Sequence, residues 1–238
     1  MRFRLYSLLI LFSLMSKMHA QEYEKINGVW NALFLDYALS DKFSLRNEFH
    51  LRTVSYLEVL NQQMIRPSIT YTTPKKVKWS GGYSFFRNFD RNIDAVPRVR
   101  IEHNLWSQIL YKLPLTKGSI STWLRLEHRF QEVLPLQINS KSFDFSSRLR
   151  FRVTYERLLS KPEAKTPAHL VFYDEIFTLL NPQGIPYKFN QNWTFFGMKL
   201  KFNEKMTLIS GFQKNTIAQS GGNFLKNRLW NTLLFYKL

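Results

Sequence analysis

What most limits the fold of this chain is how heavily charged the polar half of its alternation is. In Arg98-Val99-Arg100-Ile101-Glu102-His103-Asn104-Leu105-Trp106 and in Arg148-Leu149-Arg150-Phe151-Arg152-Val153-Thr154-Tyr155-Glu156, positions 99, 101, 149, 151, 153 and 155 are apolar and positions 98, 100, 102, 148, 150, 152 and 156 charged. Between Leu124 and Phe130 the parity swaps, with Leu124, Leu126 and Phe130 facing one way and Arg125, Glu127 and Arg129 the other. A repeat of two is a β-strand with one greasy and one polar face. An Arg on a lipid face near mid-bilayer costs about 2–4 kcal/mol, so such residues must turn to a lumen or lie near a rim. Repeated along the chain, this pattern predicts an all-β fold, a closed antiparallel transmembrane up-and-down β-barrel.

Eleven strand-like segments can be read, at about 28–38, 42–54, 62–73, 77–88, 98–111, 119–131, 143–158, 169–180, 189–202, 206–214 and 224–238. Pro67 removes one ladder bond from the third, and Gly81-Gly82 suggests a bulge or bend in the fourth. In the eighth, Leu170, Phe172 and Ile176 compete with Val171, Tyr173, Phe177 and Leu179, as in a strand buried on both sides. Connections alternate between short and long, as in outer-membrane barrels with short periplasmic turns and longer outer loops. Bacterial single-chain barrels have even strand numbers. Eleven therefore becomes twelve if a further strand hides in Gln21–Gly28, the favoured reading, or ten if one segment is false.

Residues 1–20 read as a secretory signal, with Arg2 and Arg4, an apolar run over Leu5–Ser16 and a small residue, Ala20, before Gln21. An N-terminal anchor is the alternative, but the run is too short for a spanning helix. Residues 21–238 then form the barrel. Cleavage would remove three of the 34 basic residues and none of the 17 acidic ones, taking the net charge from +17 to +14. A secreted chain with its basic residues spread over many strands speaks against nucleic acid. Outer-membrane lipid, lipopolysaccharide phosphates or an anion in the lumen fit better. The absence of Cys excludes lipoprotein anchoring and fits an oxidising compartment. The location expected is the outer membrane of a Gram-negative cell.

The inward set is Arg46, Glu48, His50, Arg52, Arg98, Arg100, Glu102, Arg125, Glu127, Arg129, Arg148, Arg150, Arg152 and Glu156. Such residues can pair between neighbouring strands. Three uses are open. A salt-bridged filling is the plainest, because a small barrel has little spare interior. A basic lumen that passes or binds anions is the second, since Arg outnumbers Glu in the set. The third is a barrel acyl hydrolase with an outward Ser–His site. His103 and His128 have outward parity, but Ser107 lies about 13 Å from His103 along the strand. No His, Asp and Glu cluster has metal-ligand spacing, and no cofactor is implied. A soluble lipocalin-like carrier is a further alternative. The six tryptophans fit interfacial belts, except Trp106 and Trp123, whose parity is inward.

The last residues, Trp230, Thr232, Leu234, Tyr236 and Leu238 on one face against Asn227, Asn231 and Lys237, resemble the terminal strand read by barrel-assembly machinery, with Leu in place of the usual aromatic end. With Arg125-x-Glu127-x-Arg129, the Trp30 segment and Arg148-x-Arg150, most of residues 28–238 resembles an uncharacterised, domain-of-unknown-function family of outer-membrane β-barrels from Bacteroidetes-type bacteria. The resemblance implies a barrel and carries over no catalytic residue.

Overall fold

The computed structural model describes residues 23–89, 99–133, 142–161, 164–181, 188–219 and 222–238. The signal-like residues 1–20 and Arg98 lie outside these. Eleven strands follow in order: β1 (Tyr23–Ala38), β2 (Phe43–Val54), β3 (Val59–Thr72), β4 (Lys78–Phe89), β5 (Val99–Leu115), β6 (Gly118–Val133), β7 (Ser142–Leu158), β8 (Ala168–Leu179), β9 (Phe189–Lys201), β10 (Met206–Ala218) and β11 (Phe224–Lys237).

Each strand pairs with its neighbours in sequence, antiparallel throughout, and β1 closes the barrel on β11. That last pairing is parallel, in register from Tyr23↔Phe224 to Asp36↔Lys237. The parallel seam resolves the parity problem. No separate strand lies within residues 23–28; they extend β1, and the number is eleven rather than the favoured twelve. With an odd count, the first and last strands of an up-and-down barrel run the same way, so closure has to be parallel. The short connections, 39–42, 73–77 and 116–117 among them, share one rim with the end of β11; the start of β1 lies at the other, long-loop rim.

Side chains sort to the two faces by strand parity. Outward stand Phe43, Leu45, Phe49 and Leu51 of β2, Ile65 and Ile69 of β3, Leu124 and Phe130 of β6, and Phe151 and Val153 of β7, all exposed. Inward, the polar residues Glu48, Arg66, Glu102, Arg125, Glu127, Arg148, Arg150 and Glu175 are buried. The molecule is thus greasy outside and charged inside. The mixed signal of β8 has the same cause. Val171, Tyr173, Phe177 and Leu179 pack inside while Phe172 and Ile176 are exposed outside.

Two sequence expectations need correction. Trp30 and Trp193 are not belt residues. Trp30 shares the inward parity of Ala32 and Phe34, and its ring meets that of Trp193 edge-on at 5.2 Å inside the barrel. Only Trp79 and Trp230, both 54% exposed, stand outward among the tryptophans of the described strands. Gly81-Gly82 makes no bulge either: the β4–β5 register runs unbroken through Gly81↔Ser107 and Gly82↔Trp106. A Cβ on Gly82 would come within 2.7 Å of the Trp106 ring and 2.5 Å of the Pro67 carbonyl. The glycine leaves room for an inward indole. Pro67 acts as expected, the β3–β4 ladder passing from Ile65↔Phe85 to Ser68↔Gly82 without it.

Candidate functional site

The lumen is organised by a relay of charges on β6, β7 and β8. Cross-strand register sets Arg148 beside Glu127 and Arg152 beside Glu175, with Arg150 between them on β7. Glu127 accepts from Arg148 at 2.5 Å and from Arg150 at 2.6 Å. Glu175 accepts from Arg150 at 2.5 Å and is also paired with Arg152. Both carboxylates have 0% solvent exposure. Burying an ion is tolerable only when pairing and hydrogen bonds replace its hydration. Here three guanidinium groups share two carboxylates, and aromatic faces take part of the remaining charge. Arg150 lies 4.3 Å from the Phe177 ring centre, and Arg152 lies 3.9 Å from that of Tyr173.

Smaller sets lie around the relay. Arg66 of β3 donates to Ser84 at 2.7 Å and to Glu48 at 3.2 Å, and Glu48 also contacts His50 at 3.1 Å. Toward the long-loop rim, Arg129 holds Glu102 in a fork at 2.7 and 2.9 Å, with Gln131 donating to the same carboxylate. Toward the short-turn rim, Arg46 pairs with Asp36 at 2.6 Å, and Glu156 accepts from Lys199 at 2.7 Å. The network reaches across the bore. The Trp193 ring of β9 lies 5.6 Å from Arg52 of β2 and 5.5 Å from Arg150 of β7.

Two inward guanidinium groups are partnered by amides instead of close carboxylates. Arg52 donates to Gln62 at 2.6 Å and lies 4.0 Å from the Trp30 ring centre, and its Nε has no partner. Arg125 donates to Gln108 at 2.9 Å, stacks 4.2 Å from Trp106 and stands 3.9 Å from Glu127. Both line a cavity of about 800 Å³, together with Arg66, Arg148, Arg150 and the exposed Arg100. Arg100 joins the cavity at the rim and is no part of the relay.

Sequence parity missed several members. Glu175 is hidden in the two-sided β8, Arg66 stands next to the disruptive Pro67, and Asp36 lies between the apolar residues Leu35 and Tyr37. Each has the inward parity of its strand, which is the signal that could have found them. Lys199, not in the inward set read from the sequence, is Glu156's partner.

Outside, the structure does not unite His103 with Ser107. His103 Nδ1 meets the Tyr83 hydroxyl at 2.6 Å, among Phe85 and Phe143. His128 Nδ1 instead meets Ser147 Oγ at 2.9 Å. The backbone N–H of Ser147, which an acyl oxyanion would need, already donates to Asn181 Oδ1 at 2.6 Å. The pair ties β6 to β7 without a free oxyanion donor at its serine. No group of three or more potential metal ligands occurs among the described residues.

Residues 27–226 match the model of a protein family described as a protein of unknown function (DUF2490). None of the curated proteins and none of the solved structures matches the chain.

Proposed function

We propose, from the premise that the chain belongs to the DUF2490 family, that it is an exported outer-membrane β-barrel whose lumen is filled by a salt-bridged network and carries out no catalysis. Its partners in this reading are outer-membrane lipid, including lipopolysaccharide, and the barrel-assembly machinery that receives β11. Residues 1–20 would be the export signal. The observation that carries the reading is the inverted distribution of polarity. A closed barrel with Phe49, Leu51, Ile69, Leu124 and Phe151 exposed outside and Glu127 and Glu175 sealed inside is costly in water and stable in lipid. A soluble carrier of lipocalin type would be the reverse, with an apolar interior and a polar exterior. Fractionation followed by gel mobility of boiled and unboiled samples tests it. The expected result is an outer-membrane protein with heat-modifiable mobility. A chain that stays in the aqueous phase and runs identically either way would overturn the proposal.

A second reading, that the lumen admits small anions, is favoured by Arg52 and Arg125. Both offer charge to the cavity with amide partners in place of close carboxylates. Planar bilayers decide it. Conductance steps whose reversal potential favours anions would support this use, and silence at all voltages would reject it.

A further inference from the structure

The outer surface is not apolar all the way round. Register places one cross-strand row as Asp174, Thr194, Lys214, Arg228 and Asn27, running from β8 to β1. The next row toward the short-turn rim reads Phe172, Phe196, Phe212 and Trp230, each between 42% and 57% exposed. The next row toward the long-loop rim holds Asn192, Thr216 and Lys226. Lys214 and Arg228 are therefore directly opposed and both exposed.

Like charges facing each other across strands, with Cβ atoms about 5 Å apart, destabilise a sheet. The acid in the row gives no relief. Asp174 is two strands from Lys214, and its carboxylate accepts from Asn192 at 3.0 and 3.1 Å and from Thr194 at 2.9 Å. A like-charge pair standing where an aromatic belt ends is a place for an anion attached to something greasy. We propose that Lys214 and Arg228 bind the phosphate of a phosphorylated lipid headgroup whose acyl chains lie over Phe196, Phe212 and Trp230. The inference rests on the membrane placement above. A lipid suits the site better than a free anion because the aromatic row continues directly from the cations, and a bare phosphate would gain nothing from it.

The test uses the full barrel in detergent, with bis-phosphorylated lipid A and its dephosphorylated form as probes. Retention is read by native mass spectrometry and stability by urea unfolding. Wild type should retain the phosphorylated lipid and not the dephosphorylated one. Lys214→Gln/Arg228→Gln should weaken retention roughly thirtyfold, given the usual contribution of each basic residue at an anionic lipid surface. Lys75→Gln/Lys205→Gln, the same charge change at the opposite rim, should not. Without lipid, Lys214→Gln should unfold at higher urea than wild type, because a repulsion is gone, and with phosphorylated lipid the order should reverse. Equal retention by the Lys214→Gln/Arg228→Gln variant, equal loss in the rim control, or equally strong competition by inorganic phosphate would each overturn the proposal. A wild type that inserts into vesicles but does not distinguish the two lipids overturns this inference alone. One that never acquires heat-modifiable mobility removes the membrane reading and this inference with it.

Discussion

The lumen has two unlike walls. From β6 to β8 its polar groups are guanidinium and carboxylate groups, set among the aromatic faces of Trp123, Tyr173 and Phe177. From β9 to β11 it is built largely of amides and apolar side chains: Asn190, Phe195, Gln213, Asn215, Asn227, Leu229 and Asn231. On the amide wall Gln213 accepts from Tyr173 at 2.5 Å and from Asn231 at 2.7 Å and donates to Asn215 at 2.7 Å. On the amide wall Asn215 Nδ2 and Asn227 Oδ1 are buried without a partner, and the two walls differ in what the loss of one partner leaves behind. On the amide wall it leaves a neutral dipole, worth about 1–3 kcal/mol of desolvation. On the charged wall it leaves a buried ion, a penalty of about 3–5 kcal/mol. The relay is the more brittle of the two.

The sharpest way to break this comparison is Glu127→Gln. It uncouples Arg148 and Arg150 together and should lower unfolding stability by roughly 3–5 kcal/mol, seen as a large drop in the urea midpoint in detergent. A loss no greater than on the amide wall would mean that water or rearranged carboxylates already share the charge. Next in size is Gly211→Ala. The new Cβ would lie 2.4 Å from the Gly197 backbone and 3.0 Å from the Phe195 ring, and overpacking of this kind costs about 1–3 kcal/mol. Gln213→Leu comes third, at about 1–3 kcal/mol, since it leaves the Tyr173 hydroxyl and the Asn231 amide without their acceptor. The smallest effect is expected at the rim. Arg100→Gln should change stability by less than about 0.5 kcal/mol, and if anions enter the lumen it should reduce anion preference in bilayer recordings. His128→Ala should leave fatty-acid release from phospholipid at the level of an empty vesicle, the same as wild type. A release that wild type shows and His128→Ala abolishes would reinstate the hydrolase.

Much of the barrel was legible in the sequence because its two solvents, lipid and lumen, demand opposite residue types on alternate positions. Arg148, Arg150 and Arg152 against Leu149, Phe151 and Val153 announce that alternation plainly, and the structure turns them to opposite faces. Where the lumen itself is apolar, alternation fades. That is why Glu175, flanked on its own face by Tyr173 and Phe177, was missed, and why Trp30 and Trp193 were read as belt residues. Pairing partners were legible only between adjacent strands. Glu127 and Arg148 follow from neighbouring hairpins, whereas Arg52 reaching Trp193 is a contact across the bore that no local pattern encodes. Nor could parity alone decide the strand count, because the rule of even numbers assumes that the two closing strands run in opposite directions.

The seam between β1 and β11 has a consequence for how the barrel can be made. It joins residues about two hundred positions apart, Tyr23 with Phe224 at one end, whereas the other wall contacts join strands that are consecutive in the chain. Hairpins can zip one after another as the sheet grows, but the final join has no hairpin to guide it and waits for β11. Until then the sheet carries two unpaired edges, and a chain that lacks β11 should stay a curled sheet that never seals.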